Sequence, residues 1–316
     1  MSVEFTHVPT TSRRHLPQYL SPENPSWGSR DAPSRHQAFE TAFRNIVIDG
    51  PAGILTNMDV AAETARATST VGIALTHWSG IIHPVVAAQQ IAALDRLAQG
   101  RLSLRFLLGP DGQDREEAGS HVETLRQTDE YLVLLKRLWS NELAFDHEGP
   151  NYSVTCGFVA KKGPQAADMP IRMGGVSGVA LDVAGRHATV FELAPGTPEE
   201  IRDLIGRVES AAARYGRTGR VSFALPVRLA APWRPGERDP SDPVAIWGPP
   251  ARVAQTLLAY AALGICEFMV SGLDHEESVL AFAHDIAPLF QRAVPIQAAR
   301  RAAGLSRPAR QNLWAS

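Results

Sequence analysis

Residues 83–109 read HPVVAAQQIAALDRLAQGRLSLRFLLG, and the fold class follows from this stretch. His83 and the proline after it are typical of a helix start, and the small alanines that follow let a helix lie close to a sheet. Gly100 is typical of a helix end, and the apolar run after it indicates a buried strand. Asp95 and Arg96, followed by Arg101, are well placed for an ion-paired turn at the base of the fold.

The same alternation of apolar strand and amphipathic helix continues along all 316 residues. We predict strands over residues 3–8, 45–50, 70–76, 101–109, 170–175, 188–194, 221–229 and 266–272. Besides the helix after His83, we predict helices over residues 34–43, 57–69, 121–139, 197–216 and 249–264. Eight parallel strands covered by helices predict an α/β fold of the (β/α)8 TIM-barrel type. A doubly wound open sheet is the alternative, but the first predicted strand is not followed by a glycine-rich phosphate motif.

Two long irregular segments, residues 9–33 and 140–169, interrupt this alternation. Loops of this length inside one domain are often lids or insertions. Since the first segment follows a strand, we expect it either to close over a site at the C-terminal face or to form an arm or subunit contact. The second segment has room for one hairpin. We predict a single barrel domain over residues 1–293 and a C-terminal extension over residues 294–316.

Composition excludes several classes of function. The formal net charge is −2 with both signs interspersed, which argues against a nucleic-acid or anionic membrane surface. The two cysteines, Cys156 and Cys266, have no CxxC spacing, so neither a disulfide framework nor a metal site is predicted. No run approaches the roughly 18 apolar residues of a membrane span. These observations predict a soluble cytoplasmic protein.

Four stretches, in this order, resemble the bacterial luciferase-like flavin monooxygenases and are most similar to the alkanesulfonate monooxygenase branch. They are HPVVAAQQIAALDRLAQGR at 83–101, AGSHVETLRQTDEYLVLLKRLW at 118–139, PIRMGGVSGVALDVAG at 170–185 and WGPPARVAQTLLAYAALGICEFMVSGLDHEESV at 247–279. The resemblance implies a luciferase-like TIM barrel that uses reduced FMN (FMNH2) from a separate NAD(P)H-dependent flavin reductase. In that branch, O2 is used to oxidise an organosulfonate to an aldehyde and sulfite. A homodimer is also implied.

The resemblance carries over seven cofactor-binding positions: Thr76, Gly109, His121, Gly174, Gly175, Val176 and Ser177. The last four fall on the phosphate loop of the family. A Gly-Gly turn that leads into a helix offers backbone N–H groups and the positive end of the helix dipole to a phosphate. Thr76 and Gly109 end strands where the family holds the flavin ring and ribityl chain.

Three histidines are candidate catalytic residues: His7, His77 and His275. Each follows or ends a predicted strand, and residues at the C-terminal ends of barrel strands commonly face the active site. A neutral imidazole can donate a hydrogen bond or transfer a proton near pH 7. Buried structural histidines are the alternative interpretation for each.

The sequence departs from the family at positions that handle substrate and phosphate. Leu125 stands at the family's phosphate-binding tyrosine, Pro226 lies in the branch's Arg-x-His region, and Leu273 replaces the tyrosine of the closing motif. A sulfonate needs cationic, bidentate partners. We therefore expect a more apolar or larger organic substrate. The alternatives are a catalytically silent barrel that binds flavin or a partner, and an oxidoreductase that uses the deazaflavin F420.

Overall fold

Eight parallel strands close into a barrel, which confirms the TIM-barrel prediction. The computed structural model describes residues 3–9, 20, 32–50, 54–106, 118–229, 245–273 and 275–302. Within them, the strands are β1 (Glu4–His7), β2 (Asn45–Ile48), β3 (Gly72–Thr76), β4 (Leu102–Phe106), β5 (Phe145–Glu148), β6 (Ser153–Gly157), β7 (Ile171–Gly174), β8 (Val190–Glu192), β9 (Ser222–Leu229), β10 (Ala245–Ile246) and β11 (Glu267–Ser271). The ring runs β1-β2-β3-β4-β7-β8-β9-β11 and returns to β1, while β10 pairs with β9. Each predicted strand coincides with one strand of this ring.

Helices connect the strands on the outside of the barrel. They are α1 (Ala32–Ala42), α2 (Ile54–Ala67), α3 (Pro84–Leu97), α4 (Ala118–Ser140), α5 (Gly178–His187), α6 (Pro198–Arg214), α7 (Pro250–Ala261), α8 (Glu276–Ala281) and α9 (Ala287–Ala302), with a π-helical turn joining the last two. Several helix ends are fixed by local caps. The His83 imidazole accepts a hydrogen bond from the first turn of α3, Thr197 and Glu200 form a reciprocal capping box on α6, and Gly264 has a φ of +105° just after α7.

Side chains of the barrel strands divide between two environments because successive residues point to opposite faces. One set packs against the helices in a continuous apolar core. The other set points into the lumen, where Val47, Ala74, Ala224 and Met269 form a separate small apolar cluster. Charged side chains occupy several of the remaining luminal positions, and they define the candidate site described below.

The 140–169 segment contains the predicted hairpin, formed by antiparallel β5 and β6. It lies on the outer surface of α3 and α4. His83 Nε2 is 3.1 Å from the carbonyl oxygen of Ser153, and the Glu130 carboxylate accepts hydrogen bonds from the backbone and side-chain nitrogens of Asn151. The insertion therefore braces two helices of the barrel wall.

The predicted ion-paired turn of Asp95, Arg96 and Arg101 is wrong, since all three side chains have other partners. The buried Asp95 carboxylate accepts hydrogen bonds from the backbone nitrogen of Gln165 at 3.0 Å and from its side chain at 2.8 Å. Arg101 donates to the carbonyl oxygens of Ala65 and Val71 at 2.9 and 2.7 Å. The carboxylate thus anchors the segment before β7, and the guanidinium caps the C-terminal end of α2.

The last helix crosses the predicted boundary between residues 293 and 294. α9 continues to Ala302, and Val294 packs against the main core. Residues 303–316 and nearly all of the 9–33 segment lie outside the described residues.

In the part of the chain that the structure describes, no helix is long and apolar enough to cross a membrane.

The contact between α5 and α6 depends on Gly185. A Cβ at this position would lie 2.6 Å from the backbone carbon of Ala211 and 2.8 Å from the backbone nitrogen of Ala212. Because backbone atoms cannot move aside like a side chain, we expect Gly185→Ala to lower the free energy of unfolding by about 2–3 kcal/mol. Gly206→Ala is the matched control, since a Cβ within α6 there meets nothing within 4 Å. That control should gain up to about 1 kcal/mol in urea unfolding, and equal effects of the two substitutions would contradict the close packing.

Candidate active site at the mouth of the barrel

A buried ion pair occupies the lower part of the lumen. Arg172 on β7 donates from its two terminal nitrogens to Glu267 on β11 at 3.1 and 2.7 Å, and from Nε to Glu192 on β8 at 3.2 Å. Thr6 on β1 also donates to Glu267. Burial opposes the charge of the Arg172 guanidinium, but the two carboxylates outweigh it and raise the pKa of Arg172. These groups join four strands across the inside of the barrel.

The same chain of ion pairs continues upward through Glu192. This carboxylate accepts from Arg105 Nε at 3.0 and 2.8 Å, and Arg105 also donates to Asp49 Oδ2 at 2.8 Å. Thr76, at the end of β3, accepts a longer hydrogen bond of 3.4 Å from Arg105. The side chain of Arg172 is 3% exposed, that of Arg105 14% and that of Asp49 36%. The network therefore opens to solvent at the C-terminal ends of the strands.

The turn after β7 lies on the same rim. Gly174 pairs in register with Glu192, and a Cβ on Gly174 would lie 3.1 Å from the Glu192 carbonyl oxygen. Gly175 has a φ of +115°, in the region that favours glycine, and Val176 is 54% exposed. Ser177 caps α5 by accepting a hydrogen bond from the backbone nitrogen of Ala180. The sequence GGVS thus forms a tight turn that opens a helix at the barrel mouth, as predicted.

This turn has the properties of an anion site. The first amides of a helix, here those of Gly178 and Val179, have no carbonyl one turn back within the helix to accept their hydrogen bonds. A Cβ on Gly178 would meet no atom within 4 Å, so there is open space beside these amides. The helix dipole adds a positive partial charge at the same point. The residues present therefore fit a phosphate group.

A cavity of about 520 Å³ adjoins this turn and extends over the first turns of α6. Its walls are formed by Val176, Ala194, Pro195 and Leu204, by the acidic side chains of Glu199, Glu200 and Asp203, and by Arg207. Arg207 donates to the carbonyl oxygen of Val176 at 2.8 Å, which ties α6 to the turn. The turn thus has open space beside it.

Two of the candidate catalytic histidines lie on the outer side of the barrel wall. His7 is fully buried, with its ring 5.7 Å from that of Phe39 on α1 and 5.2 Å from that of Phe43, which follows α1. Burial lowers the pKa of His7 to about 3. His77 Nε2 is 2.8 Å from the Tyr131 hydroxyl of α4, and burial lowers the pKa of His77 to about 4. Their neighbours in sequence, Thr6 and Thr76, occupy the luminal positions instead.

His275 is exposed and precedes α8, where its carbonyl oxygen accepts a hydrogen bond from the nitrogen of Ser278. The structure thus does not bring the three histidines together. A catalytic role for them stays a prediction, which the outward positions of His7 and His77 do not favour.

The remaining predicted positions divide into three groups. Thr76 lies at the mouth beside Arg105, and the 174–177 turn lies on the same rim. Gly109 is outside the described residues; His121 belongs to the first turn of α4, and its side chain is not described. The replaced family positions Leu125 and Leu273 are buried.

The charged side chains of the lumen are not among the site residues predicted from the sequence. They are Asp49, Arg105, Arg172, Glu192 and Glu267. Each except Asp49 is a charged residue inside an otherwise apolar strand, and that is the signal that would have pointed to them. An ionised side chain in such a run has to face either solvent or a charged partner.

Residues 40–235, more than half of the chain, match the family model described as luciferase-like monooxygenase. This chain belongs to that family. The 174–177 turn and the strands from β2 to β9 lie inside the matched region.

Solved structures similar to this luciferase-like chain share its fold. The long-chain alkane monooxygenase LadA is 13% identical with a TM-score of 0.71, covering 99% of this chain and 94% of that one. The EDTA monooxygenase of a Chelativorans species is 14% identical with a TM-score of 0.69, covering 92% and 94%. The coenzyme F420 dependent tetrahydromethanopterin reductase of Methanopyrus kandleri is 15% identical with a TM-score of 0.68, covering 92% and 100%.

Proposed function

We propose that this protein is a flavin-dependent monooxygenase that binds reduced FMN at the barrel mouth and uses O2 to oxidise an organic substrate. The observation that supports this most strongly is the anion site. A helix N-terminus, a glycine turn and open space meet at residues 174–178, on the rim of a barrel from the luciferase-like monooxygenase family. FMN ends in one phosphate, which this site suits in charge and size.

The residues of the mouth would hold and orient the cofactor. The amides of Gly178 and Val179 would bind the phosphate, and Ser177 would keep the helix end in place. Bound reduced FMN would supply the electrons that activate O2. Arg105, held by carboxylates on two sides, keeps a fixed guanidinium at the floor of the mouth, and Asp49 offers a carboxylate that can accept a proton from a bound substrate.

The substrate we propose is an apolar or larger organic molecule instead of a simple alkanesulfonate. Leu273 and Leu125 are buried, so neither position can offer a polar group to a sulfonate. Pro226 lies on the luminal side of β9, between the inward-facing Ala224 and the mouth. Burying a sulfonate next to such groups without cationic partners would be costly.

The partners we propose are a separate NAD(P)H-dependent flavin reductase and a second copy of this chain. Both follow from the family resemblance. The reductase would supply the reduced flavin that the proposed reaction consumes.

Ser177→Asp tests the proposed phosphate site. Aspartate caps a helix as well as serine does, so the fold should persist, but its carboxylate would stand against the phosphate. We expect at least about 30-fold weaker binding of FMNH2, or about 2 kcal/mol, in an anaerobic titration. Ser177→Asn is the control, because asparagine also caps helices and adds no charge. Equal affinities of the two variants would place the phosphate elsewhere, and saturable binding of reduced F420 without binding of FMNH2 would favour the F420 alternative.

A further inference from the structure

A second cluster of ionisable side chains lies on the outer layer, between α4 and α5. Asp129 Oδ1 is 2.7 Å from His187 Nε2, and His187 Nδ1 is 3.2 Å from Lys136 Nζ. Arg186 binds the other oxygen of Asp129 at 2.7 Å. A carboxylate that orients an imidazole, which in turn contacts a nucleophilic atom, is the arrangement that activates nucleophiles in proteins.

The carboxylate fixes which nitrogen of His187 carries the hydrogen. Asp129 can only accept, so His187 donates from Nε2 and leaves the Nδ1 lone pair to accept from Lys136. The side chain of His187 is 3% exposed, and burial lowers its pKa although the hydrogen bond with Asp129 opposes this. The imidazole is therefore neutral and can take a proton from the amine.

The surroundings of Lys136 disfavour a positive charge on its nitrogen. Burial is the largest cause, Arg217 and Arg186 add to it, and Asp129 opposes it, with the result that the pKa of Lys136 falls to about 8. Arg217 is held in place by donating to the carbonyl oxygens of Gly185 and Ala188 at 2.8 and 2.7 Å. The charges of two guanidinium groups thus add to burial in opposing a positive charge on this amine.

The residue choice at position 136 is unusual for this chain. The sequence has 28 arginines and three lysines, and the other two lysines, Lys161 and Lys162, lie together after the hairpin. Arginine stays protonated and cannot act as a nucleophile near neutral pH, whereas a lysine in such surroundings can.

We propose that Lys136 is a carbamylation site that takes up carbon dioxide. The Nζ lone pair forms a bond to the carbon of CO2. One C–O π bond breaks, and its electron pair moves onto the oxygen to give a carboxylate. The proton lost from Nζ passes to His187 Nδ1 and on to solvent, with no change in oxidation state. The product places an anion on Nζ in the electrostatic field of Arg186 and Arg217, and this selects CO2 over acyl donors, whose adducts would be neutral.

Trapping the carbamate tests the proposal. The intact protein is equilibrated with ¹³C-bicarbonate at pH 8, alkylated with triethyloxonium and digested for mass spectrometry. We expect at least about tenfold more ethoxycarbonyl label on Lys136, whose Nζ lies beside His187 Nδ1, than on the exposed Lys161. A carbamate signal in the ¹³C NMR spectrum should be lost in Lys136→Arg. Equal or absent labelling of Lys136 in the wild-type protein would overturn the proposal.

His187 accepts the proton from Lys136, and the rate of labelling separates this role from a merely structural one. His187→Gln should slow carbamate formation on Lys136 at pH 8 by at least about tenfold, because glutamine cannot take up the proton. His147→Gln is the matched control, because His147 also binds an acid of α4, Glu130, at 2.9 Å. An unchanged rate in His187→Gln would show that the imidazole does not assist the amine.

Discussion

Glu267→Leu is expected to lower the free energy of unfolding by about 3–5 kcal/mol. The substitution leaves Arg172, whose side chain is 3% exposed, without its main partner inside the barrel. Two hydrogen bonds, at 3.1 and 2.7 Å, are lost together with the one from Thr6. Glu192 cannot compensate, because it already binds Arg105 on its other side. Urea unfolding followed by circular dichroism measures the loss.

The double variant Arg172→Met/Glu267→Leu separates the cost of an unpaired charge from the value of the pair. Replacing both partners by apolar side chains leaves no unpaired buried charge, because Glu192 keeps its ion pair with Arg105. We expect the double variant to lie within about 1–2 kcal/mol of the wild-type protein. A double variant as unstable as Glu267→Leu would mean that the lumen needs the charges themselves.

Acidification from pH 7 to pH 5 is expected to lower the free energy of unfolding by at least about 4 kcal/mol. Burial lowers the pKa of His7 to about 3 and of His77 to about 4, while an unfolded histidine titrates near pH 6.5. The unfolded chain therefore binds more protons below pH 6.5, and stability falls with pH from there towards pH 4 to 3. Each histidine accounts for about 2 kcal/mol of the loss by pH 5. The lowered pKa of His187 acts in the same direction.

Replacing one of these histidines should reduce the pH dependence of the free energy of unfolding by the share of that histidine. His7→Leu keeps an apolar side chain between Phe39 and Phe43, and we expect its loss between pH 7 and pH 5 to be smaller than that of the wild-type protein by about 2 kcal/mol. His275→Leu is the control, because an exposed side chain keeps its solvation on unfolding. If the slope of His7→Leu equals that of the wild-type protein, His7 is not held neutral in the folded state.

Local sequence signals predicted the barrel well because its outer layer is built from continuous segments. The apolar runs that mark the strands are the outward-facing residues, such as Leu104 and Phe106, which form the main core. Helix ends at His83 and Thr197 follow from contacts within a few residues. The 174–177 turn was predicted for the same reason, since its glycines and its helix start are adjacent in sequence.

The luminal network could not be predicted in this way because its members come from different strands. Arg105, Arg172 and Glu192 meet only when the barrel closes, and nothing in their spacing along the chain brings them together. His7 and His77 were expected to face the mouth, but the luminal positions belong to the preceding residues, Thr6 and Thr76. A shift of one position in a strand moves a side chain to the other face. Asp95 and Arg101 were paired by closeness in sequence, but each found backbone partners elsewhere.

The most direct test of the proposed oxygenase is an anaerobic titration of the purified protein with FMNH2, followed by admission of O2. We predict saturable FMNH2 binding in the micromolar range and consumption of O2 by the bound flavin. Absence of saturation up to about 1 mM FMNH2, which corresponds to a binding free energy weaker than about −4 kcal/mol, would contradict the proposed function.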